Sequence, residues 1–171
     1  MTQWGRFLGR SIERLEDAAL LMGRGRFADD LPVRVDTLHA AVLRSPHAHA
    51  ELGMIEVSDA LAMNGVEVVV TGEDAKAYTK PFIAGIKLPI EHYCVAVDKV
   101  RYVGEPVAIV VAQDRYIAED AMEQIRVTYK PLSAVVDSEK SVVASAPVLH
   151  DRVGSNLILK AIEKGYEDKL L

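Results

Sequence analysis

The most constraining feature of the sequence is an apolar run, VAIVVA at residues 107–112, followed at once by an amphipathic segment. Such a run is typical of a strand that is covered on both faces. Asp114 is placed to cap a helix over residues 115–124, whose apolar residues recur at the spacing of one helical stripe. Residues 125–130 then alternate apolar and polar, which predicts a half-covered strand that ends at Pro131.

A similar unit precedes this one in the chain. Strands are expected at residues 38–43, 51–57 and 66–70, because each is a short apolar or β-branched run bounded by turn residues. Between the second and third of these, Ser58 is expected to cap a helix over residues 59–63 that ends in a left-handed turn at Asn64-Gly65. Two strand-helix-strand units, each interpreted as a crossover, predict a domain of the α+β (α/β) class.

The segments around these units have weaker patterns. Residues 73–91 are interpreted as a long loop with at most one helical turn at 73–77, and loops of this length are usually functional or interfacial. Residues 1–35 are expected to form an extended arm with one short helix at 16–22, lying against something else. Short further elements are expected at residues 95–97, 100–103, 134–136 and 138–144.

Composition narrows the class of protein. A chain of 171 residues fits one domain of ordinary size, and its net charge of -5 with scattered basic residues argues against a nucleic-acid partner. The single cysteine, Cys94, excludes an internal disulfide and is expected to be a small buried hydrophobe in a reducing compartment. No apolar run approaches the roughly 20 residues of a membrane span, so we expect a cytoplasmic protein.

The residues that could carry chemistry do not form a recognisable motif. His47 and His49, with His39 nearby, lack an adjoining Cys, Asp or Glu at a ligand spacing, so the loop interpretation is preferred to a metal site. The GRGR segment at 23–26 lacks the features of a phosphate-binding loop and is interpreted as a hinge. The sequence therefore assigns no catalytic residue, no cofactor-binding residue and no metal ligand.

Read together, five ordered stretches resemble the large, molybdenum-binding subunits of the xanthine dehydrogenase, aldehyde oxidase and carbon monoxide dehydrogenase family. They are GRSIERLED (9–17), GRGRFADD (23–30), LRSPHAHA (43–50), DKVRYVGEPVA (98–108), and AEDA (118–121) before VTYKPL (127–132). The resemblance covers about residues 9–156. It implies the a/b hammerhead domain at the front of the large subunit.

This resemblance has consequences for domains, cofactors and partners. It implies an arm at 1–35, a hammerhead domain at 36–156, and the start of a following region at 157–171. The molybdopterin cofactor is expected in a partner polypeptide or in missing domains, with iron-sulfur and FAD subunits as further possible partners. On this basis the chain is expected to be a split subunit, a truncated product or an excised domain, and we expect it to be inactive alone. The alternative is a free-standing interaction module without redox activity.

One segment is a candidate interface. Residues 98–106 are expected to form a turn and a strand entry whose exposed part faces another domain or subunit. Its candidate residues are Arg101, Gly104, Glu105 and Pro106, of which Gly104 can adopt backbone angles closed to other residues. The alternative is a turn that is needed only for folding.

Overall fold

The computed structural model describes residues 9–82 and 90–157, and this part of the chain contains six strands that alternate strictly between two sheets. The strands are β1 (His39–Arg44), β2 (Ala50–Glu56), β3 (Val66–Thr71), β4 (Lys99–Val100), β5 (Pro106–Ala112) and β6 (Arg126–Pro131). The first sheet has the order β1-β5-β3 and the second has the order β4-β2-β6. Every step along the chain from one strand to the next therefore changes sheet.

The apolar run at 107–112 forms the central strand of the first sheet, β5. On one face of β5, Ala108 and Val110 lie in a core cluster with Ala121 and Ile125 from the helical side. On the opposite face, Val107 lies in a second core cluster with residues of the other sheet. The prediction of a strand with apolar residues buried on both faces is confirmed, although Ile109 and Val111 keep partial exposure.

Helix α4 (Arg115–Glu123) covers the first sheet and begins as predicted. The Asp114 carboxylate accepts a hydrogen bond from the Tyr116 backbone N–H at 2.8 Å, which satisfies one of the free donors at the helix start. Of the predicted apolar stripe, Ala118, Ala121 and Ile125 are buried. The local signals of cap and stripe were sufficient to place this helix.

Both strand-helix-strand units exist, but neither is a parallel crossover. Each unit joins one sheet to the other: β2 leads through α2 (Ser58–Leu61) to β3, and β5 leads through α4 to β6. All strand pairs are antiparallel. The crossover interpretation was wrong because pairing partners are set by contacts between distant residues, which the local sequence does not record.

Two further details around the first unit differ from expectation. The residue before α2 is Val57, with no side-chain cap, so Ser58 is the first helical residue rather than its cap. The turn at Gly65 is left-handed as predicted, with a φ of 90°. In place of one helical turn, residues after β3 form α3 (Gly72–Tyr78), a helix of 7 residues.

Helix α3 begins in a capping arrangement that the sequence analysis missed. The Asp74 carboxylate accepts hydrogen bonds from the Thr71 backbone N–H at 2.8 Å and the Thr71 hydroxyl at 2.7 Å. The hydrogen bond from the Thr71 hydroxyl is the main reason that the pKa of Asp74 lies below its ordinary value. Threonine followed by an acidic residue three positions later is a helix-start signature, so the signal was present in the sequence.

The segment before β4 is buried without being a strand. Val95 and Ala96 are almost inaccessible to solvent, and the Ala96 backbone N–H donates to the Pro106 carbonyl at 2.8 Å. The regular element predicted at 95–97 is therefore wrong, and β4 is shorter than the predicted strand at 100–103. Residues 134–136 also form no strand, whereas the helical turn predicted at 138–144 is present as α5 (Ser138–Ser141).

Residues up to Thr37 form one compact unit, and residues from Leu38 onward form another. The described part of this first unit contains α1 (Asp17–Leu21) and a short 3-10 helix, Ala28–Asp30, and none of its residues is buried. The segment interpreted as a hinge has a more specific role. Gly23, with a φ of 66°, ends α1, and the next residue, Arg24, donates its backbone N–H back to the Ala19 carbonyl.

Candidate functional site

The bend at residues 101–106 is bound to the turn between β1 and β2. Gly104, with a φ of 87°, donates its backbone N–H to the Ser45 carbonyl at 2.8 Å, and Ser45 in turn donates to the Glu105 carbonyl at 2.9 Å. The Arg44 guanidinium donates to the Gly104 carbonyl at 2.9 Å. These bonds fix the bend at the point where Pro106 begins the central strand.

Glu105, one of the four candidate interface residues, does not lie on the exposed side of the bend. Its side chain is buried, and its carboxylate accepts a hydrogen bond from the Arg101 backbone N–H. The carboxylate thus takes the place of a backbone carbonyl as the hydrogen-bond acceptor that stabilises the bend. The exposed part of the bend is formed instead by Tyr102 and Val103.

Arg101 connects the bend to the segment that follows α5. Its Nε donates to the Leu149 carbonyl at 3.1 Å and its Nη1 donates to the Lys99 carbonyl at 3.0 Å. Its Nη2 also lies 3.5 Å from the carboxylate of Asp98. Arg101, one of the four predicted interface residues, therefore makes its described contacts within the chain. The fork shape of its guanidinium allows it to make these three contacts at once.

A second contact to the same segment comes from Lys99, the neighbouring strand residue. The Lys99 Nζ donates to the Asp151 carboxylate at 2.7 Å, and Lys99 is buried whereas Asp151 is mostly exposed. The hydrogen bond from Lys99 is the main cause of the lowered pKa of Asp151. This ion pair holds residues that lie 52 positions apart in the chain.

The segment is closed on itself by Asn156. The Asn156 Oδ1 accepts from the Leu149 backbone N–H at 3.0 Å, and its Nδ2 donates to the carbonyls of Pro147 at 2.8 Å and Ser141 at 3.0 Å. One amide thus satisfies three backbone groups. We call Lys99, Arg101, Asp151 and Asn156 together the latch, because they fix residues 149–157 to β4 and to α5.

A polar cleft of about 150 Å³ lies beside the latch. Its walls are Lys76, Glu91, Tyr93, Val97, Asp98, Arg101, His150, Asp151 and Arg152. Arg152 forms an ion pair with Glu91 across it. The pKa of His150 is lowered, first by burial and then by the positive charge of Arg101, so the neutral imidazole is favoured there.

The histidines of the 43–50 motif have structural partners. His49 is buried, and its Nδ1 lies 2.7 Å from the Ser133 carbonyl, which requires that Nδ1 carry the proton. His47 packs against Tyr129 with ring centroids 4.8 Å apart. Among the residues that the structure describes, no three His, Cys, Asp or Glu side chains are grouped as metal ligands would be.

Two predictions about single features can be compared directly with the structure. Cys94 is exposed, so the expectation of a buried hydrophobe was wrong: the buried stretch begins at the next residue, Val95. Within residues 9–82 and 90–157, no helix is long and apolar enough to cross a membrane.

Most of the latch was not foreseen from the sequence. Arg101 was selected because it lies in a motif, but Lys99, Asp151 and Asn156 were not assigned a role. The available signal was indirect: five of the seven residues at 150–156 are polar, and Gly154, Ser155 and Asn156 are typical turn residues, which predicts side-chain to backbone bonding. Their partners, however, are too distant in sequence to be deduced from it.

Comparison with known proteins identifies the family to which this fold belongs. Residues 22–133 match the family of the aldehyde oxidase and xanthine dehydrogenase a/b hammerhead domain. The nicotine 6-hydroxylase large subunit of Paenarthrobacter nicotinovorans is 39% identical over 143 residues, which are 79% of this chain and 17% of that protein. The chain thus spans about a fifth of the length of the curated relatives that it matches.

Solved structures agree with this match. Quinoline 2-oxidoreductase from Pseudomonas putida 86 superposes with a TM-score of 0.76 at 39% identity, covering 88% of this chain and 20% of that one. The Cu,Mo-CO dehydrogenase superposes with a TM-score of 0.67 at 37% identity, covering 81% of this chain and 17% of that one. The chain therefore belongs to the aldehyde oxidase and xanthine dehydrogenase a/b hammerhead domain family.

Proposed function

We propose that this chain is the hammerhead portion of a molybdenum hydroxylase-type oxidoreductase and that it helps to assemble the large subunit. The observation that carries the proposal is the superposition of 88% of the chain on one fifth of quinoline 2-oxidoreductase. On this proposal, a domain that makes up one fifth of the large subunit contributes to the enzyme through its contacts with the rest of that subunit. Its partner, on this proposal, is the polypeptide or region that binds the molybdenum cofactor.

On this proposal, the described residues that line the polar cleft do not hold the cofactor. In the described ranges no group of three metal-ligand side chains is formed. Of the charged residues that line the cleft, Arg152 pairs with Glu91, and Asp151 pairs with Lys99 beside the cleft. We therefore assign no redox step to them. The molybdopterin cofactor of the proposed enzyme is carried elsewhere, and iron-sulfur and FAD subunits complete the electron path.

The exposed side of the 101–106 bend is the proposed contact surface of the hammerhead domain. Tyr102 and Val103 project from a bend that Gly104, Glu105 and Pro106 hold in place. A rigid bend presents its side chains at a small entropic cost, which favours binding. We therefore propose the interface at the bend predicted from the sequence, with the exposed Tyr102 and Val103 as its contact residues.

The proposal is tested by native purification of the tagged chain, followed by metal analysis and peptide mass spectrometry. We expect molybdenum and a polypeptide with cofactor-binding domains to be recovered with it. Recovery of the chain as a lone, metal-free monomer would instead support the free-standing interaction module. In a second assay, the isolated chain supplied with molybdenum cofactor should not oxidise aldehydes, purines or carbon monoxide with an artificial electron acceptor.

A further inference from the structure

The polar cleft beside the latch is bordered by parts of the chain that are far apart in sequence. Lys76 comes from α3, Arg101 follows β4, and His150 and Arg152 belong to the segment that the latch fixes. All nine wall residues lie in the compact unit that begins at Leu38. The volume of about 150 Å³ is several times the roughly 30 Å³ of a water molecule, so the cleft has room for a small polyatomic ion.

The cleft contains acids as well as bases, and the balance between them is positive. With Lys99, which pairs with the wall residue Asp151, it has four cations (Lys76, Lys99, Arg101 and Arg152) and three carboxylates (Glu91, Asp98 and Asp151). Two of the carboxylates are in close ion pairs, Glu91 with Arg152 and Asp151 with Lys99. Two cations are therefore left with one carboxylate.

Lys76 and Arg101 supply the excess positive charge. Within the described ranges, Lys76 forms no ion pair. Arg101 makes two of its contacts with uncharged carbonyls, and its ion-pair partner, Asp98, lies 3.5 Å away with a side chain that is 74% exposed. Because solvent screens such a pair, Asp98 neutralises the guanidinium charge only in part.

Two titratable groups at the cleft respond to this positive charge. Burial is the first cause of the lowered pKa of His150, and the positive charges of Arg101 and His92 are the next. At Asp151, the hydrogen bond from Lys99 is the main cause of the lowered pKa, and the charge of Arg101 adds to it. A base and an acid at the same cleft are thus both shifted in the direction that a surplus of positive charge produces.

The hydrogen-bond donors at the cleft suit a tetrahedral anion. Lys76 carries an ammonium group, and Arg101 and Arg152 carry guanidinium groups with more N–H donors than their described contacts use. Neutral His150 adds one ring N–H. These donors come from different elements around the cleft, whereas a planar carboxylate is best matched by a fork of parallel donors on one side.

We propose that the cleft binds an oxyanion of the phosphate type, either free inorganic phosphate or the phosphate group of a monoester. The bound anion connects Lys76 of α3 with Arg101 and with the segment that contains His150, so it strengthens the attachment of residues 149–157. This site does not depend on the proposed function, which native purification tests separately.

The test titrates the full chain with sodium phosphate at constant ionic strength and follows the ring resonances of His150 by NMR, identified by their loss in His150→Gln. We expect a saturable shift with phosphate or with glycerol phosphate, and a much weaker response to acetate. Tighter binding of phosphate identifies the free ion as the ligand, and tighter binding of glycerol phosphate identifies a monoester. The absence of a saturable shift with both, or an equal response to acetate, would overturn the proposal.

Charge variants test whether the cleft itself is the site. Lys76→Gln should weaken phosphate binding about tenfold, because a charged hydrogen bond is lost, whereas Lys80→Gln, outside the cleft, should not. Glu91→Gln should strengthen binding about threefold, because it frees Arg152, whereas Glu73→Gln should have no effect. Circular dichroism checks that each variant is folded. Equal effects within either pair would show a response to net charge alone and would contradict the site.

The pKa of His150 gives an independent measurement. A bound anion favours the protonated imidazole, so the pKa of His150 should rise when sodium sulfate replaces sodium chloride at equal ionic strength. Sulfate is the probe here because its own charge stays constant over the titration. The resonances of His39, which lies outside the cleft, should not respond to sulfate. An unchanged pKa of His150 would count against an anion in the cleft.

Discussion

Lys99 and Asp151 form an ion pair of 2.7 Å whose two side chains differ in exposure, at 11% and 68%. The lysine side chain is almost fully buried, whereas the aspartate side chain is mostly exposed. Because a buried charge without a partner is unfavourable, loss of the ion pair would leave Lys99 in a less favourable state than Asp151. The pair therefore fixes the later segment to a strand of the core.

Asp151→Asn is expected to destabilise the latch by about 1 kcal/mol, since a charged hydrogen-bond partner of a mostly buried ammonium is lost while solvent screens part of the effect. Hydrogen exchange at the Leu149 and Val153 backbone amides should increase. Asp36→Asn is the matched control, because Asp36 pairs with Arg34 where both side chains are highly exposed. Equal effects of the two substitutions would contradict this account of the latch.

Acidification should weaken the fold through His150. Its pKa is lowered from 6.5 in the folded chain by burial and by Arg101, so the unfolded chain binds the proton more readily. Stability is therefore full above about pH 6.5 and falls as the pH drops below it, by at most about 1.4 kcal/mol per pH unit for one proton. Urea unfolding at pH 7.5 and pH 5.5 measures the loss, and His150→Gln should reduce it. An unchanged difference in the variant would exclude His150 as the cause.

Gly72→Ala should be strongly destabilising, by about 2 kcal/mol or more. A Cβ at Gly72 would lie 2.1 Å from the Ala96 carbonyl oxygen and 2.7 Å from the Val97 Cα, both of which are backbone atoms that cannot rotate away. Gly104→Ala meets no atom within 4 Å and should cost only about 1 kcal/mol from its positive φ. Thermal denaturation compares the two variants, and a smaller loss for Gly72→Ala would show that α3 can move away from residues 96–97.

Glu105→Ala should destabilise the bend by about 1–3 kcal/mol, because it leaves the Arg101 backbone N–H without its acceptor. Glu105→Gln keeps an oxygen in the same position and should lose less. The free energy of unfolding and hydrogen exchange at the Arg101 amide test this. Val103→Ser, at an exposed site of the same bend, should leave both measurements unchanged. Stability unaffected by Glu105→Ala would contradict this role of the Glu105 carboxylate in holding the bend.

The sequence was most informative where structure depends on neighbouring residues. The cap at Asp114, the stripe of α4 and the left-handed turn at Gly65 are local and were predicted. The division of the strands into two antiparallel sheets depends on pairs such as Ala41 with Val110, which are far apart in the chain. Periodicity shows which face of a strand is buried, but it does not show which strand lies beside it.

The same distinction applies to the candidate site. Gly104 and Pro106 were selected correctly as residues that shape a bend, because their backbone restrictions are visible in the sequence. The burial of Glu105 and the pairing of Lys99 with Asp151 depend on tertiary contacts that no local pattern encodes. Exposure of Cys94 was missed for the same reason, since residue type alone favours burial for cysteine.

The alternation of the strands between the two sheets has a consequence for how the domain can be formed. Because each sheet collects every second strand between His39 and Pro131, no continuous fragment of this region contains one complete sheet without most of the other. Such interleaving gives a high contact order, which slows folding and makes it cooperative. A ribosome must therefore release β5 before the first sheet can be complete and β6 before the second can be complete. A cut between any two consecutive strands separates residues that belong to the same sheet.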